Sequence, residues 1–437
     1  MDKTLHQTAL CGVIPIMPSK SASHRAVMMA ALCQGTTELA PLQLSRDIAA
    51  TLACANALGL TAASAALPLD EEQETVTASI TGGIQPDAYP AERVLDCGES
   101  GSTLRFFIPL ALDGRGPVRF IGHGRLMQRP LDVYESMFSG MRWEKDGDSL
   151  IVEGKLKSGE FSLRGDVSSQ FITGLLLALP KLPGDSVIRI TTPLESRAYV
   201  ELTRRVQTAF GVTSQWQDEN TLLVPGGQTP VSPGQFTVES DWSHAAFFLT
   251  AGAISSRGPL HVMGVDATSA QGDRAIVDIL LRMGANICTA HDGMGLSIFP
   301  SRLSAIDVDV SQVPDLVPIL AVAMASAYGE SRIRGAARLR IKESDRLSAM
   351  AQALCAAGAD VEELPDGLII RGGKPLRGAC IDGCNDHRIV MAMAVAAQLL
   401  EDGQSLTIST SEAVSKSAPR FWAEYGSLCF KGREDLL

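Results

Sequence analysis

One short pattern occurs six times along the chain: a small polar cluster followed by an apolar run of helical length. The six segments are SKSASHRAVMMAAL, SGSTLRFFIPLAL, VSSQFITGLLLALP, SDWSHAAFFLTAGAI, VPDLVPILAVAMA and NDHRIVMAMAVAAQL, beginning at Ser19, Ser100, Val167, Ser240, Val313 and Asn385. Successive segments start roughly 67 to 81 residues apart, the regular spacing of an array of similar supersecondary units. Because the openings supply Ser, Asp or Asn, which cap helix N-termini, each segment predicts the start of a helix.

A second, more amphipathic helix and a hairpin follow the apolar helix in most units. The segments DRAIVDILLRMGANICTAHDGMGLSIF and DRLSAMAQALCAAGADVEELPDGLII have apolar residues at helical spacing, and then two short apolar runs around an Asp-Gly turn. Each unit is therefore predicted to be β-α-β-α-β-β. Helices that are apolar on every side, such as LVPILAVAMAS, are expected to be buried with sheets wrapped around them.

Composition limits the class of protein and its partners. A net charge of −11 argues against nucleic acid or an anionic membrane surface as the main partner. The chain has no apolar run of the roughly 20 residues that span a bilayer, and MDKTLHQTAL does not resemble a signal peptide. The nine cysteines include no CxxC pair, and no further ligands complete a zinc pattern around Cys380 and Cys384. We expect a soluble cytoplasmic protein without a metal.

Charged and polar side chains lie at the predicted helix starts. A helix N-terminus presents free N–H groups and partial positive charge, which favour phosphate or carboxylate. The residues concerned are Lys20, Arg25, Arg105, Gln170, Asp315 and Arg388. An inert scaffold has no need of such residues at these places, so the pattern indicates binding of anions.

Three segments carry the strongest signals, and each has an alternative interpretation. Lys20 and Arg25 lie five residues apart across a helix start, which fits phosphate binding as well as simple capping beside a solvated arginine. The run RLRIKESDRL at 338–347 is typical of a solvated helix face, but it lies on a connection between helices, where sites often occur. Arg388 opposes the dipole of its helix unless a bound anion or Asp386 compensates it.

Seven features follow one another along the chain: PSKSASHRA, GESGSTLR, the RPL that follows Arg125, GDVSSQF, IKESDRL, NDHR and the late Lys416. In order and spacing they resemble the signature segments of the 5-enolpyruvylshikimate-3-phosphate synthase family. The resemblance runs from about Leu10 to about Phe421. It implies a two-domain inside-out α/β barrel. Each domain has three β-α-β-α-β-β units, with helix N-termini facing the interdomain cleft.

The resemblance also implies domain roles and a reaction. Residues 20–240 would form an inserted domain that binds mainly shikimate 3-phosphate, while 1–19 and 241–437 would form a second domain that completes the phosphoenolpyruvate site. The enzyme would transfer the enolpyruvyl group of phosphoenolpyruvate to the 5-hydroxyl of shikimate 3-phosphate and release phosphate, in the shikimate pathway to chorismate and the aromatic amino acids. It would act as a monomer and need no cofactor.

The family motifs assign binding residues one by one. Shikimate 3-phosphate would be held by Lys20, Ser21, Arg25, Ser168, Ser169, Gln170, Ser196, Asp315 and Lys342. Phosphoenolpyruvate would be held by Lys20, Gly101, Arg125, Gln170, Arg346, Arg388 and Lys416. Arginine suits such a ligand because its planar fork matches phosphate and carboxylate. Tyr199 would pack under the shikimate ring.

The same resemblance suggests catalytic roles. The reaction needs a base for the hydroxyl, an acid toward C3 of phosphoenolpyruvate and cations for the phosphate-bearing intermediate. Asp315 would be the base with Lys342 beside it, Glu343 would be the acid, and Lys20 would complete the catalytic set.

Two departures from the family pattern bear on this assignment. Glu99 stands where the family commonly has Asn, and it adds negative charge near the phosphoenolpyruvate residues. Met17 and Pro18 replace the usual Gly before Ser19, so the first hinge would be stiffer.

Two other functions fit parts of the pattern. One is enolpyruvyl transfer to UDP-N-acetylglucosamine, whose enzymes usually have Lys-Asn in place of Lys20 and Ser21 and a cysteine acid, for which Cys97 is the nearest candidate. The other is a silent sensor of a phosphorylated metabolite, although a pure binder would not need a base beside an acid.

Overall fold

A computed structural model describes residues 1–62, 75–83, 93–291 and 293–429 of the chain. The chain forms two compact units, one made of Lys20–Val238 and the other of Met1–Ser19 with Glu239–Leu437. We call them the inserted unit and the flanking unit. The second boundary lies two residues before the position 240 expected from the sequence.

Helices and short strands alternate through both units. The helices are α1 (Lys20–Leu32), α2 (Arg46–Ala57), α3 (Gly101–Ala111), α4 (Asp132–Met137), α5 (Ser169–Ala178), α6 (Arg197–Ala209), α7 (Trp242–Ile254), α8 (Ala275–Arg282), α9 (Val317–Ser326), α10 (Arg346–Ala356), α11 (His387–Ala396) and α12 (Phe421–Leu428). The strands are β1 (Lys3–His6), β2 (Gly12–Pro15), β3 (Gly35–Leu42), β4 (Thr61–Ala62), β5 (Val76–Gly82), β6 (Arg93–Asp96), β7 (Val118–Ile121), β8 (Arg142–Asp146), β9 (Ser149–Glu153), β10 (Glu160–Leu163), β11 (Ser186–Ile190), β12 (Gln215–Trp216), β13 (Thr221–Val224), β14 (Gln235–Thr237), β15 (Leu260–Met263), β16 (Asn286–Thr289), β17 (Gly295–Phe299), β18 (Asp307–Asp309), β19 (Gly329–Arg334), β20 (Asp360–Leu364), β21 (Gly367–Gly372), β22 (Ala379–Ile381) and β23 (Ser405–Ile408).

Each unit contains three sheets within the described ranges, and the five four-stranded sheets share one topology. The inserted unit has the strand orders β14-β3-β5-β4, β6-β7-β9-β8 and β10-β11-β13-β12, and the flanking unit has β16-β17-β15-β2, β18-β19-β21-β20 and β1-β23-β22. In the four-stranded sheets the first two strands of a repeat are parallel and the hairpin adds antiparallel strands, as in β6, β7, β9 and β8. The last sheet differs because β1, from the start of the chain, pairs antiparallel with β23.

Both passages between the units follow the first strand of a repeat. Strand β2 pairs with β15 in the flanking unit, but the next helix, α1, belongs to the inserted unit. Strand β14 pairs with β3 in the inserted unit, and the next helix, α7, belongs to the flanking unit. Two repeats are therefore assembled from strands and helices that are far apart in the sequence.

Each unit has its own hydrophobic core. Residues 317–325 of α9 are all buried, which confirms the prediction for apolar helices. In the other core, α3 and α5 pack closely at Gly174, where an added Cβ would lie 2.2 Å from the Tyr134 hydroxyl. That hydroxyl donates toward the Phe171 carbonyl oxygen at 2.9 Å, so glycine is needed for the close approach. No helix in the described ranges has the length and apolar character needed to cross a bilayer.

Predicted N-caps are present at four helix starts. The side chains of Ser100, Ser168, Asp241 and Asp386 accept hydrogen bonds from backbone N–H groups of α3, α5, α7 and α11. The start of α9 is different, because Asp315 lies in a 3-10 turn, Pro314–Leu316, and does not cap the helix. Pro314 and Pro318 have no N–H group, so this start has fewer donors to satisfy.

Candidate active site

The first predicted cluster lies at the start of α1 in the inserted unit. Lys20 is the first residue of the helix, and its Nζ is 2.9 Å from Oδ2 of Asp47, in the first turn of α2. The sequence did not suggest Asp47, because it lies 27 residues away. This ion pair holds the lysine charge at the helix start.

Arg25 joins three helices of the inserted unit. Its guanidinium donates to the Thr203 hydroxyl at 2.8 Å, the Thr173 hydroxyl at 3.3 Å, and the carbonyl oxygens of Ser21 at 2.7 Å and Tyr199 at 3.1 Å. Removal from water lowers the pKa of Arg25 to about 10, so the side chain is still cationic at neutral pH. Four of the five N–H groups of the side chain are used, which leaves one for a ligand.

Gln170 is fixed at the start of α5. Its Oε1 accepts from Nη1 of Arg105 at 2.9 Å, and its Nε2 donates to Ser102 at 3.0 Å. A Cβ at Gly101 would lie 2.8 Å from Nη1 of Arg105 and 2.9 Å from Nη1 of Arg129. Gly101 is therefore the residue that lets two guanidinium groups approach the start of α3. Arg129, the first residue of the RPL segment, is buried, and the sequence interpretation gave it no role.

The loop before Arg129 contains Arg125, whose side chain is exposed. Glu99 reaches this loop, because a Cβ at Gly124 would lie 2.6 Å from its Oε2. Gly124 has a φ of +58°, which also favours glycine. The Glu99 carboxylate thus lies beside the residue that precedes Arg125.

The remaining predicted residues of the inserted unit lie at the starts of α5 and α6. Ser168 caps α5 through the N–H group of Gln170 at 3.3 Å, and Ser169 is the first residue of that helix. Ser196 is buried and left-handed, with a φ of 55°, immediately before α6. The Tyr199 ring lies 5.9 Å from Cζ of Arg25. The chain thus brings Ser21, Arg25 and Tyr199 together.

In the flanking unit, Arg346 is the centre of a carboxylate network. It donates to Oδ1 of Asp315 at 2.9 Å, to Oε2 of Glu343 at 2.8 Å, and to both oxygens of Asp386 at 2.8 and 3.2 Å. Burial opposes the charge, but the three carboxylates hold the pKa of Arg346 well above its ordinary value. Asp386 also accepts from Ser344 at 2.9 Å, a role that the sequence did not indicate.

Asp315 is also surrounded by the other predicted cations of this unit. Its carboxylate lies 3.7 Å from Nζ of Lys342 and 3.5 Å from Nη2 of Arg388. Arg388 donates to the Asp315 carbonyl oxygen at 2.9 Å as well. The sequence predicted that a bound anion or Asp386 would compensate the positive charge of Arg388 at the helix start. The structure shows a third group that does so, the Asp315 carboxylate. Lys416 donates to the Asn385 carbonyl oxygen at 2.6 Å.

The electrostatic environment of Asp315 determines how basic it is. Burial alone would raise the pKa of this carboxyl, but Arg388, Lys342 and Arg346 hold it well below its ordinary value. Burial lowers the pKa of the Lys342 ammonium, although Asp315 opposes that change. A strongly ionised carboxylate beside a lysine can accept a proton only when neighbouring positive charge is offset, as a bound anion would do.

In the parts of the chain that the structure describes, no group of three or more His, Cys, Asp and Glu side chains could hold a metal ion. The fold and these residues define a class of protein with a repeated α/β structure, cationic side chains at helix starts and, in the flanking unit, a buried carboxylate beside a lysine.

Comparison with known proteins identifies the family. The model of the EPSP synthase (3-phosphoshikimate 1-carboxyvinyltransferase) family matches residues 5–425. The chain is 42% identical over 420 residues to the 3-phosphoshikimate 1-carboxyvinyltransferase of Clostridium novyi (strain NT), covering 95% of this chain and 94% of the relative. It is 39% identical over 423 residues to that of Clostridium perfringens (strain ATCC 13124), covering 96% of each. The chain belongs to the EPSP synthase family.

Solved structures agree with this family. An EPSP synthase from Acinetobacter baumannii superposes with a TM-score of 0.79 and 26% identity, covering 98% of both chains. The enolpyruvyl transferase NikO from Streptomyces tendae has a TM-score of 0.75 at 17% identity, covering 97% of this chain and 96% of that one, and shares the fold. The predicted fold class, a two-domain inside-out α/β barrel of repeated units, is confirmed.

Proposed function

We propose that this chain transfers the enolpyruvyl group of phosphoenolpyruvate to the 5-hydroxyl of shikimate 3-phosphate and releases phosphate. The reaction is a step of the shikimate pathway, which leads to chorismate and the aromatic amino acids. The observation that carries the proposal is the group formed by Asp315, Lys342 and Glu343 in a member of the EPSP synthase family. A binding protein would not need this combination of base and acid.

The inserted unit is proposed to bind mainly shikimate 3-phosphate. The residues are Lys20, Ser21, Arg25, Ser168, Ser169, Gln170 and Ser196, with Asp315 and Lys342 from the flanking unit. Arg25 supports this assignment because it is cationic, buried and bonded to neutral oxygens. An anion would supply the negative charge that its surroundings lack.

The flanking unit is proposed to complete the phosphoenolpyruvate site. The residues are Arg346, Arg388 and Lys416, with Lys20, Gly101, Arg125 and Gln170 from the inserted unit. Arg346 and Arg388 already lie against Asp315. A phosphate or carboxylate group that binds these arginines would share their positive charge with Asp315.

The proposed chemistry depends on competition between the substrate and the carboxylates for these arginines. Asp315 removes the proton of the 5-hydroxyl, and the hydroxyl oxygen bonds to C2 of phosphoenolpyruvate. Glu343 gives a proton to C3. The C2–O bond to phosphate then breaks, and the departing phosphate takes the proton held by Asp315. The Glu343 carboxylate takes a proton from C3, which restores the double bond. Lys20 and Lys342 stabilise the phosphate-bearing intermediate. Glu343 must first give up its 2.8 Å contact with Arg346, so binding of phosphoenolpyruvate to Arg346 would prepare the acid.

The test is release of phosphate from the two substrates together. Asp315→Asn keeps the shape of the side chain but cannot take the proton, so turnover should fall by roughly 10² to 10⁴ while substrate binding persists. Asp307→Asn, an exposed position on β18, is the matched control and should be unchanged. Near-normal turnover in Asp315→Asn would move the base to Lys20 or Glu343.

The acceptor distinguishes the alternatives. Replacing shikimate 3-phosphate by UDP-N-acetylglucosamine should abolish phosphate release, and a sensor would release none with either acceptor. Cys97, the candidate cysteine acid of the first alternative, is completely buried at the end of β6, where it cannot meet a substrate.

We also propose that the enzyme works as a monomer in the cytoplasm. The buried free thiols Cys33, Cys54 and Cys97 suit a reducing compartment, and light scattering would test the oligomeric state.

A further inference from the structure

Asp273 is a buried carboxyl that the proposed reaction does not use. It lies in the 3-10 turn Gly272–Arg274 before α8, and 3% of the residue is exposed. Its Oδ2 accepts a hydrogen bond from the Ser243 hydroxyl in the first turn of α7. Its Oδ1 is buried and has no hydrogen-bond partner in the described parts of the chain. An ionised carboxylate with one unsatisfied oxygen is costly in such a place.

Three other elements of the flanking unit bring charges near Asp273. Helix α7 packs against the turn of Asp273, against the turn of Asp315 and against α11, whose Arg388 lies 3.5 Å from the Asp315 carboxylate. Arg388 on α11 favours its ionised form, whereas Asp315 and Asp241, the cap of α7, disfavour it. Burial is the largest influence and raises the pKa of Asp273 to about 6. The ionised and protonated forms of Asp273 are therefore close in free energy. A change in the charge near Arg388 alters the protonation of this side chain at neutral pH.

We propose that Asp273 is a positioning residue that takes up a proton when an anion binds at Arg388, and that it thereby couples the affinity for phosphoenolpyruvate to pH. The proposal rests on the proposed function, which assigns Arg388 to phosphoenolpyruvate. The proton comes from solvent and bonds to the unpartnered Oδ1, so the carboxylate becomes a neutral carboxylic acid.

The coupling follows from linkage. A bound anion offsets the positive charge of Arg388, which is the charge that favours ionised Asp273, so the complex holds the proton more tightly than the free enzyme. Reciprocally, ionised Asp273 weakens anion binding, and the protonated form does not. Because the pKa is higher in the complex, the affinity should fall as pH rises through about 6 and should level off above the pKa of the complex.

The variant Asp273→Asn carries no charge and imitates the protonated form. The ratio of wild-type KM to variant KM for phosphoenolpyruvate is expected to be near one below about pH 5, and about threefold to tenfold above about pH 7. The ratio cancels the ionisation of phosphoenolpyruvate itself, which both enzymes share. Turnover at saturation should be retained, and Asp278→Asn, an exposed position on α8, should follow the wild type at every pH.

A second variant tests the same coupling without removing the carboxyl. Ser243→Ala deletes the hydrogen bond that favours ionised Asp273, so the pH at which KM changes should move upward. Calorimetric titration with phosphoenolpyruvate in two buffers of different ionisation enthalpy should show proton uptake by the wild type that is smaller in Asp273→Asn.

The outcomes separate this proposal from the proposed function. Parallel KM profiles for the wild type and both variants, with normal turnover, would overturn the role of Asp273 and leave the reaction intact. Absence of phosphate release by the wild-type enzyme would overturn the proposed function instead. If Asp273→Asn does not fold, an unshifted profile in Ser243→Ala overturns the coupling and an upward shift supports it.

Discussion

Arg25 in the inserted unit and Arg346 in the flanking unit are both buried near helix starts, and the two arginines have opposite surroundings. Arg25 in the inserted unit is 3% exposed and Arg346 in the flanking unit is 2% exposed, and each makes four hydrogen bonds. Hydroxyl and carbonyl oxygens accept from Arg25, whereas three carboxylates accept from Arg346. The pKa of Arg25 is consequently lowered to about 10, while that of Arg346 is raised.

This difference indicates different proposed roles for the two arginines. Only neutral oxygens accept the hydrogen bonds of Arg25, so an anionic ligand would improve its electrostatic environment. Arg346 is already balanced by acidic groups, and a substrate that binds it must compete with Asp315, Glu343 and Asp386. We infer that competition in the flanking unit frees the acid and the base, whereas the inserted unit mainly holds substrate.

Stability should show the largest contrast. Arg346→Met removes the arginine that pairs with the fully buried carboxylate of Asp386 and should lower the free energy of unfolding by about 3–5 kcal/mol. Arg25→Met leaves only neutral oxygens unpaired and should cost about 1–3 kcal/mol. Denaturant unfolding of both variants measures this, with Arg334→Met, at an exposed position on β19, as the control. Equal losses at the two sites would contradict the comparison.

Loss of Arg388 tests whether the carboxylates around it leave its positive charge able to bind a substrate. Arg388→Ala removes a charge-assisted hydrogen bond worth roughly 1.5–3 kcal/mol, so affinity for phosphoenolpyruvate should fall about 10- to 150-fold. Calorimetry in the presence of shikimate 3-phosphate measures the affinity, and Arg334→Ala serves as the matched variant. A loss of affinity smaller than about threefold would mean that the Asp315 carboxylate already neutralises Arg388, which then contributes little to binding phosphoenolpyruvate.

Helix packing should also differ between the units. Gly174→Ala places a Cβ 2.2 Å from the Tyr134 hydroxyl and should destabilise the inserted unit by about 1–3 kcal/mol. Gly426→Ala on α12 meets nothing within 4 Å and should stabilise the flanking unit by up to about 1 kcal/mol. Thermal unfolding of both variants measures the two effects, and stabilisation by Gly174→Ala would refute the close approach of α3 and α5.

The smallest effect is expected at Glu99, the acidic residue beside the loop of Arg125. Glu99→Asn removes a partly exposed negative charge, so KM for phosphoenolpyruvate should fall by a factor that corresponds to about 0.2–1 kcal/mol. Glu135→Gln, at an exposed position on α4, is the control for a general loss of negative charge. An unchanged or higher KM would indicate that Glu99 neutralises a neighbouring cation and does not oppose the substrate.

Local features of the fold could be predicted from the sequence. The six polar openings indicated the helix starts, and Ser100, Ser168 and Asp241 act as caps because capping involves residues only two or three positions away. The burial of α9 followed from its uniformly apolar residues. Repetition at a nearly constant interval then indicated similar units, since each apolar helix needs sheets to cover it.

Long-range pairing was decided only by the tertiary structure. Asp47 beside Lys20, Asp386 beside Arg346 and the pairing of β2 with β15 join residues far apart in the chain, and no local pattern marks them. The family resemblance marked Asp315 as the base, but the three cations from other segments that lower its pKa became evident only in the folded chain. The sequence alone determined which groups can ionise and where helices begin; the folded chain determined which charges meet, because electrostatic energy depends on distance and burial in three dimensions.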